Sequence, residues 1–255
     1  MKIKDGQIFS FDILNQKISV RKGHGSQTNY YTYLEDYNEM LFGLHYLTSN
    51  DCFIDIGANV GVYSLLMAGE KKSQVIAIEP MKNNYELLMK NINNNKLKKN
   101  ITALNIALGQ EDCELKFKYD GALSCQSDVD TIVELVKVKK MEEIVDYAEL
   151  IKIDVEGFEL NVLKGANKVL DDLRTNALIV EMIPNELKEE YKHDVYQFLL
   201  NKNFCAYQYH PDNRSFEPLT HNNILIPNTI FIRDLDLAKK KVSSSEKIKI
   251  GDRYY

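Results

Sequence analysis

In the stretch DCFIDIGANVGVYSLL, residues 51–66, a short apolar run ends in Asp55 and is followed by Gly57, Asn59 and Gly61 before the pattern turns amphipathic. A second polar group, Lys152, Asp154, Glu156 and Glu159, sits in LIKIDVEGFE, where another apolar run of strand length ends. Two glycines at a strand-to-helix turn let a ligand approach the backbone, and a helix starting near Val62 offers it unpaired N–H groups and a positive dipole end. Carboxylates at Asp154 and Glu156 can take a proton from an acceptor hydroxyl, and Lys152 can orient them or balance their charge. Glu159 reads more readily as helix N-terminal charge, and Glu181, ending ALIVE, as either a strand-end contact or a further wall of the same cleft.

The residue types at the first turn discriminate between ligands. A nicotinamide dinucleotide calls for G-x-G-x-x-G, with its pyrophosphate packed on the helix. Here the spacing is G-x-x-x-G, and an acid precedes it. Asp55 at the mouth of a site disfavours a pyrophosphate and favours a cationic ligand, and S-adenosylmethionine carries both a sulfonium and an ammonium. Glu79, ending VIAIE, is placed to accept hydrogen bonds from both ribose hydroxyls of an adenosine. Dinucleotide sites use an acid in the same place, so Glu79 supports adenosine without choosing the cofactor. Asn105 and Ile106 follow the next strand, at the level of an adenine ring. An NAD-dependent oxidoreductase and a non-catalytic adenosine-binding module stay open as alternatives.

The elements that must position these residues alternate along the chain. CFIDI, QVIAIE, ITALNIAL, LIKIDV, ALIVEMI and NTIFIR read as strands. Between them, segments such as KNNYELLMKNINNN, LNVLKGANKVLDDL and NELKEEYKHDVYQFLLNK carry helical patterns. Strand–helix alternation predicts crossover units on a parallel sheet covered on both faces, an α/β doubly wound fold. Between Gly109 and Ile144 the alternation lapses, which predicts an antiparallel pair or insertion. The N-terminal IFSFDI and KISV predict a small ribbon, followed by a loop and a helix over 37–47. Tyr30, Tyr31, Tyr33 and Tyr37 in that segment suit either stacking on an acceptor or an amphipathic packing edge. The expected organisation is an N-terminal extension over 1–50, a catalytic domain over 51–235 and a charged tail over 236–255.

Bulk properties bound the function. A chain of 255 residues, 44% hydrophobic, forms one main domain. A formal net charge of -5 gives no general attraction to nucleic acid, so KLKK and KKK read as solvated faces. Cys52, Cys113, Cys125 and Cys205 form no C-x-x-C pair, which predicts reduced thiols in a cytoplasmic protein. No stretch is long and apolar enough to suggest a membrane span. The five histidines show no zinc-like spacing, and metal-free catalysis is preferred over magnesium at Asp154 and Glu156.

In order along the chain, FIDIGANVGVYS, VIAIEPMKNNYELLMKNI, ITALNIALG, LIKIDVEGFELNVLKGA and ALIVEM resemble the FkbM family of S-adenosylmethionine-dependent methyltransferases. The resemblance covers roughly Cys52 to Ile183, and NTIFIR is similar to the closing strand of that domain. It implies a class I, Rossmann-like methyltransferase fold and O-methylation of a hydroxyl on a carbohydrate, glycolipid, polyketide or other natural product. It also implies that Asp55, Gly57, Asn59 and Gly61 surround the methionine part of the cofactor while Glu79 holds the ribose. KKMEEI departs from the family's Thr-Leu-Asp run, with Glu142 standing where the Asp is expected. The sequence therefore reads as a cytoplasmic O-methyltransferase for a small-molecule or glycan acceptor, with Asp154 as base, Glu156 as second candidate and Lys152 as orienting group. Methylation of a carboxylate or nitrogen is the alternative.

Overall fold

The computed structural model describes residues 4, 6–23, 25–118, 133–182, 189–224 and 227–255. An antiparallel hairpin of β1 (Ile8–Ile13) and β2 (Gln16–Arg21) comes first, then α1 (Thr28–Thr32) and α2 (Tyr37–Tyr46). The regular alternation runs β3 (Cys52–Ile56), α3 (Val62–Glu70), β4 (Gln74–Ile78), α4 (Lys82–Asn94), β5 (Ile101–Leu104). A small sheet of β6 (Ala107–Leu108), β7 (Cys113–Lys118) and β8 (Val133–Lys139) interrupts it. Alternation resumes with β9 (Leu150–Ile153), α5 (Glu159–Lys164), α6 (Asn167–Asp171), β10 (Ala177–Glu181) and α7 (Glu189–Asn201). The chain then forms β11 (Cys205–His210), β12 (Ser215–Pro218), β13 (Asn228–Ile232), α8 (Leu235–Ser244), β14 (Lys249–Ile250) and β15 (Arg253–Tyr254).

The main sheet has the order β12-β11-β13-β10-β9-β3-β4-β5. Strands β10, β9, β3, β4 and β5 pair in parallel, and β13 enters antiparallel between β10 and β11. The fold is thus α/β, doubly wound and mostly parallel. From β3 the chain steps outward through β4 to β5, then returns to β9 on the other side of β3. A reversal of this kind opens a crevice at the carboxyl ends of the two strands that flank it, here β3 and β9.

Period-two alternation assigns the sheet's two faces. Phe53, Leu150, Val75 and Ile179 pack with α2, α3 and the N-terminal hairpin, while Ile54, Ile56, Ile151, Ile153 and Val180 pack with α5 to α7. Two residues beyond Phe53 and Leu150, the same face receives Asp55 and Lys152, which lie opposite each other in the β3–β9 register. The hairpin is fixed to the domain by the buried amide of Asn91 on α4. Its Oδ1 accepts from the Ser19 N–H at 2.9 Å, and its Nδ2 donates to the carbonyls of Ser19 and Val60, both at 2.9 Å.

Several expectations change. LNVLKGANKVLDDL is two short helices separated by Gly165 and Ala166, and a Cβ on Gly165 would lie 1.9 Å from the Gly109 carbonyl oxygen. ITALNIAL is two strands separated by Asn105 and Ile106. The antiparallel β7–β8 pair is present as expected. The extension and the C-terminal segment share the core of the expected catalytic domain: Leu41, Phe42, Phe53, Ala238 and Val242 belong to one hydrophobic cluster. Residues 236–255 are therefore no tail. Exposed Lys239 and Lys240 mask the buried pair Ala238 and Val242, spaced one helical turn apart on α8. Tyr255 packs edge-on against Tyr37 with ring centroids 5.6 Å apart. Cys125 and the segment around it lie outside the described residues, and no described helix is long and apolar enough to cross a membrane.

Arg214 holds this last segment. Its guanidinium donates to the carbonyls of Val242 and Ser245, both at 2.6 Å, and to those of Glu246 at 3.2 Å and Tyr255 at 3.1 Å. Arg214→Ala is expected to cost about 2 to 3 kcal/mol, since bonds from a charged donor to partly buried carbonyls are lost together. Urea denaturation checks this, and an unchanged midpoint would mean that α8 packing alone retains the segment.

Candidate active site

The Gly57–Gly61 turn is shaped first by the chain itself. Gly57 has φ +80°, and a Cβ on it would stand 1.8 Å from the Asp154 carbonyl oxygen. Gly61 has φ +90°, and a Cβ there would meet Leu88 Cδ1 at 2.4 Å. Both glycines are thus required before any ligand enters. The N–H groups of Gly57 and Ala58 donate to the Ile78 carbonyl, each at 2.9 Å, and the Asn59 N–H donates to Glu79 Oε2 at 2.8 Å. The turn is consequently fixed to the end of β4.

Beneath it lies a buried charge network. Lys152, 3% exposed, pairs with Asp154 Oδ2 at 2.6 Å and sits 4.8 Å from the centroid of the Tyr63 ring. Burial alone would push its ammonium down, but the carboxylates of Asp154 and Asp55 outweigh that and hold it above its ordinary value. Asp55 is not at the mouth of the site. It is buried, its Oδ2 accepting from the Ser64 N–H at 3.1 Å and the Ser64 hydroxyl at 2.6 Å. Burial pushes its carboxyl up, opposed by Lys152 and Ser64. The Tyr63 hydroxyl completes the chain of contacts by donating to Asp36 Oδ2 at 3.1 Å.

A cavity of about 740 Å³ opens over the switch point. Asp55, Gly57, Asn59, Glu79, Lys152, Asp154 and Glu156 all contribute to its lining, so the structure places these seven residues together. Gly61 lies behind the turn. Asn105 and Ile106 are not among the lining residues; Ala107 and Leu108 occupy that wall. Asn105 is diverted because its Nδ2 donates to the carbonyls of Glu79 and Pro80 at 2.9 and 2.8 Å. Glu79 accepts backbone N–H bonds from Asn59 and Met81, both at 2.8 Å, and a further side-chain bond from Asn84, so part of its accepting capacity is left for a ribose hydroxyl. Burial pushes its carboxyl up to about 7 despite those bonds.

At the other side of the switch point one ligand oxygen from each of Asp154, Glu156 and Glu181 lies within 4.8 Å of the others. Glu156 is exposed and adopts φ +52°, followed by Gly157 at φ +96°. Glu159 holds this turn: its Oε1 accepts from the N–H groups of Val155 and Gly157 at 3.1 and 3.0 Å, and its Oε2 from the Tyr191 hydroxyl at 2.7 Å. Burial raises Glu156, and the neighbouring Asp154 and Glu159 charges add to the effect. Glu181 is pushed up to about 8 by burial and then by the same carboxylates.

The third wall comes from the N-terminal segment, through Ser26, Asn29, Glu35, Asp36, Tyr37 and Glu39. Only Tyr37 of the four tyrosines contributes. Tyr31 is 70% exposed and packs edge-on against Tyr30, which packs on Phe9 and Phe11, while the Tyr33 hydroxyl accepts from the Leu14 N–H. The acids of the LEDYNEM stretch were the missed signal: residues 35, 36 and 39 place three carboxylates beside the aromatic residues that drew attention. Glu142 lies away from the cavity, accepting from the Lys168 N–H.

Residues 55–209 match the family model described as the methyltransferase FkbM domain. The chain belongs to the FkbM methyltransferase family. It is 24% identical over 202 residues to methyltransferase sdnD of Sordaria araneosa, covering 63% of this chain and 77% of that one. A solved methyltransferase FkbM from Methylobacillus flagellatus KT aligns at 18% identity and TM-score 0.49, over 80% of this chain and 52% of that one, so this chain spans about half its length. TYW2 of M. jannaschii, solved in complex with AdoMet, aligns at 12% identity and TM-score 0.43, over 92% of this chain and 90% of that one. As a member of the FkbM family the chain is a methyltransferase whose cofactor is S-adenosylmethionine.

Glu39 is buried on α2 and pushed up to about 7 by burial, as Glu79 is. A carboxyl raised in the folded state favours folding fully below its ordinary value near 4.5, and that contribution disappears as pH rises through about 7. Without ligands, Glu39→Gln should therefore gain on the wild type by about 1 to 3 kcal/mol between pH 5 and pH 8. Urea melts across that range measure it, and parallel curves would rule out the titration.

Proposed function

We propose that this FkbM-family enzyme methylates a hydroxyl group of a carbohydrate, glycolipid or other small natural product. The observation that carries the reading is the convergence of Asp154, Glu156 and Glu181 at one side of the crevice. Glu79 lies three strands from Glu181, a separation of about 14 Å at ordinary strand spacing. The cavity between them is of the size that accommodates a nucleoside-bearing ligand together with part of an acceptor.

Glu79 holds the ribose through its remaining accepting capacity, and the Gly57–Asn59 backbone borders the remainder of the cofactor. When bound, S-adenosylmethionine supplies a sulfonium methyl group that leaves sulfur as the acceptor oxygen bonds to carbon. Lys152 fixes Asp154 by their ion pair, so Asp154 positions the acceptor, and the role of base passes to Glu156. Glu156 is exposed to the cavity and its raised basicity suits acceptance of a hydroxyl proton. A carboxylate acceptor is disfavoured because three acids would repel it, and the same argument, with the net charge of -5, counts against nucleic acid. Thiols outside any disulfide at Cys52 and Cys205 agree with a cytoplasmic setting.

Glu79→Ala should weaken binding of the demethylated cofactor by about 1.5 to 3 kcal/mol, measured by titration calorimetry. Glu156→Gln should lower kcat for a hydroxyl acceptor by a factor of roughly 10² to 10⁴ with cofactor affinity unchanged. A near-normal kcat in Glu156→Gln overturns its assignment as base. Mass analysis of the product separates methylated oxygen from carboxyl or nitrogen.

A further inference from the structure

We infer that Asp154, Glu156, Glu181 and the side-chain oxygen of Asn228 form a binding site for a hard divalent cation of the magnesium or manganese class. This rests on reading the carboxylate cluster as the acceptor end of an O-methyltransferase. The three carboxylates alone are an acidic cluster, and the second observation comes from the neighbouring strand. Asn228 on β13 lies opposite Glu181 on β10 in the antiparallel register, so the two side chains leave the sheet on the same face. Both line the cavity. Asn228 is 7% exposed, and its Oδ1 is shielded from solvent with no hydrogen-bond partner among the described residues. Glu181 Oε2 is shielded and unpartnered in the same way.

Orphaned buried acceptors are costly, and Asn228 Oδ1 and Glu181 Oε2 make no hydrogen bond to each other or to any other described residue. What is missing is a donor or a cation. Three carboxylates surround the position and one buried ammonium, Lys152, answers them, so a divalent cation completes the charge as well as the coordination. Oxygens on opposite sides of a cation lie two bond lengths apart, about 4.2 Å for magnesium and about 4.6 to 5.2 Å for calcium. Ligand atoms within 4.8 Å of one another can therefore close on such an ion with little movement. An all-oxygen set selects magnesium, manganese or calcium over zinc or copper. A cation here would lower the pKa of an acceptor hydroxyl bound to it, and Glu156, with two oxygens, can ligate through one and take the proton on the other.

Manganese titration of the full chain, followed by electron paramagnetic resonance, tests the site. The expected result is one bound Mn²⁺, displaced by Mg²⁺, with affinity at least tenfold weaker in Glu181→Gln and in Asn228→Ala. Binding of S-adenosylhomocysteine, measured separately on the same samples, should stay within twofold of wild type and verifies folding. If either variant fails to fold, Glu156→Gln, at an exposed position, carries the same expectation. Absence of Mn²⁺ binding in a protein that binds S-adenosylhomocysteine overturns the cation site and leaves the methyltransferase reading intact. Mn²⁺ binding that the variants leave unchanged overturns it as well. Site-dependent Mn²⁺ binding without methylation of any hydroxyl acceptor supports the cation site and counts against the proposed acceptor class.

Discussion

The buried ammonium of Lys152 is the constraint from which the rest of the site follows. A charge taken out of water is tolerated only when opposite charges and hydrogen bonds surround it, and losing one partner of such a group is far more damaging than losing a surface pair. Asp154 contacts it directly, Asp55 faces it in register from the adjacent strand, and the Tyr63 ring covers it. Asp55 in turn is held by Ser64 in the first turn of α3, and Tyr63 by Asp36 of the N-terminal segment. One side chain thus ties two central strands, the helix after the glycine turn and the segment that walls the cavity. The positions of Asp154 and of the α3 terminus are set by this network before a cofactor arrives.

The sheet and its crossovers were legible because apolar runs of strand length alternate with helical patterns, and the switch point follows from strand order. Glu79, Asp154 and Glu156 were legible because each stands at or just beyond the carboxyl end of such a run. Asp55 was read at the mouth of the site, whereas it contributes to the lining from a buried position. Its depth depends on parity with Phe53 on a face that α2 and α3 cover, and on the register with Lys152, nearly a hundred residues away, which no local pattern encodes. The two glycines were read as access for a ligand, whereas the crowding atoms are the Asp154 carbonyl and Leu88.

Elsewhere the misreadings have equally local causes. Asn105 looked available because its attachment to the carbonyls of Glu79 and Pro80 is a tertiary contact. Strands β11 and β12 escaped notice because CAYQYH mixes aromatic and polar residues and SFEP ends in proline. The C-terminal lysines concealed a helix that buries Ala238 and Val242 in the core and packs Leu235 against it. In the N-terminal segment the exposed tyrosines are conspicuous in the sequence, but the acids between and after them face the cavity.

The amide of Asn91 has a further consequence for how the molecule moves. It joins β2 to the Val60 carbonyl inside the glycine turn, so three segments far apart in sequence share one fully buried side chain. Local opening in proteins proceeds by roughly contiguous cooperative units. Release of the hairpin would break two of the three hydrogen bonds of this amide, those to Ser19. The group left with fewer anchors is the one that also holds the Val60 carbonyl at the crevice.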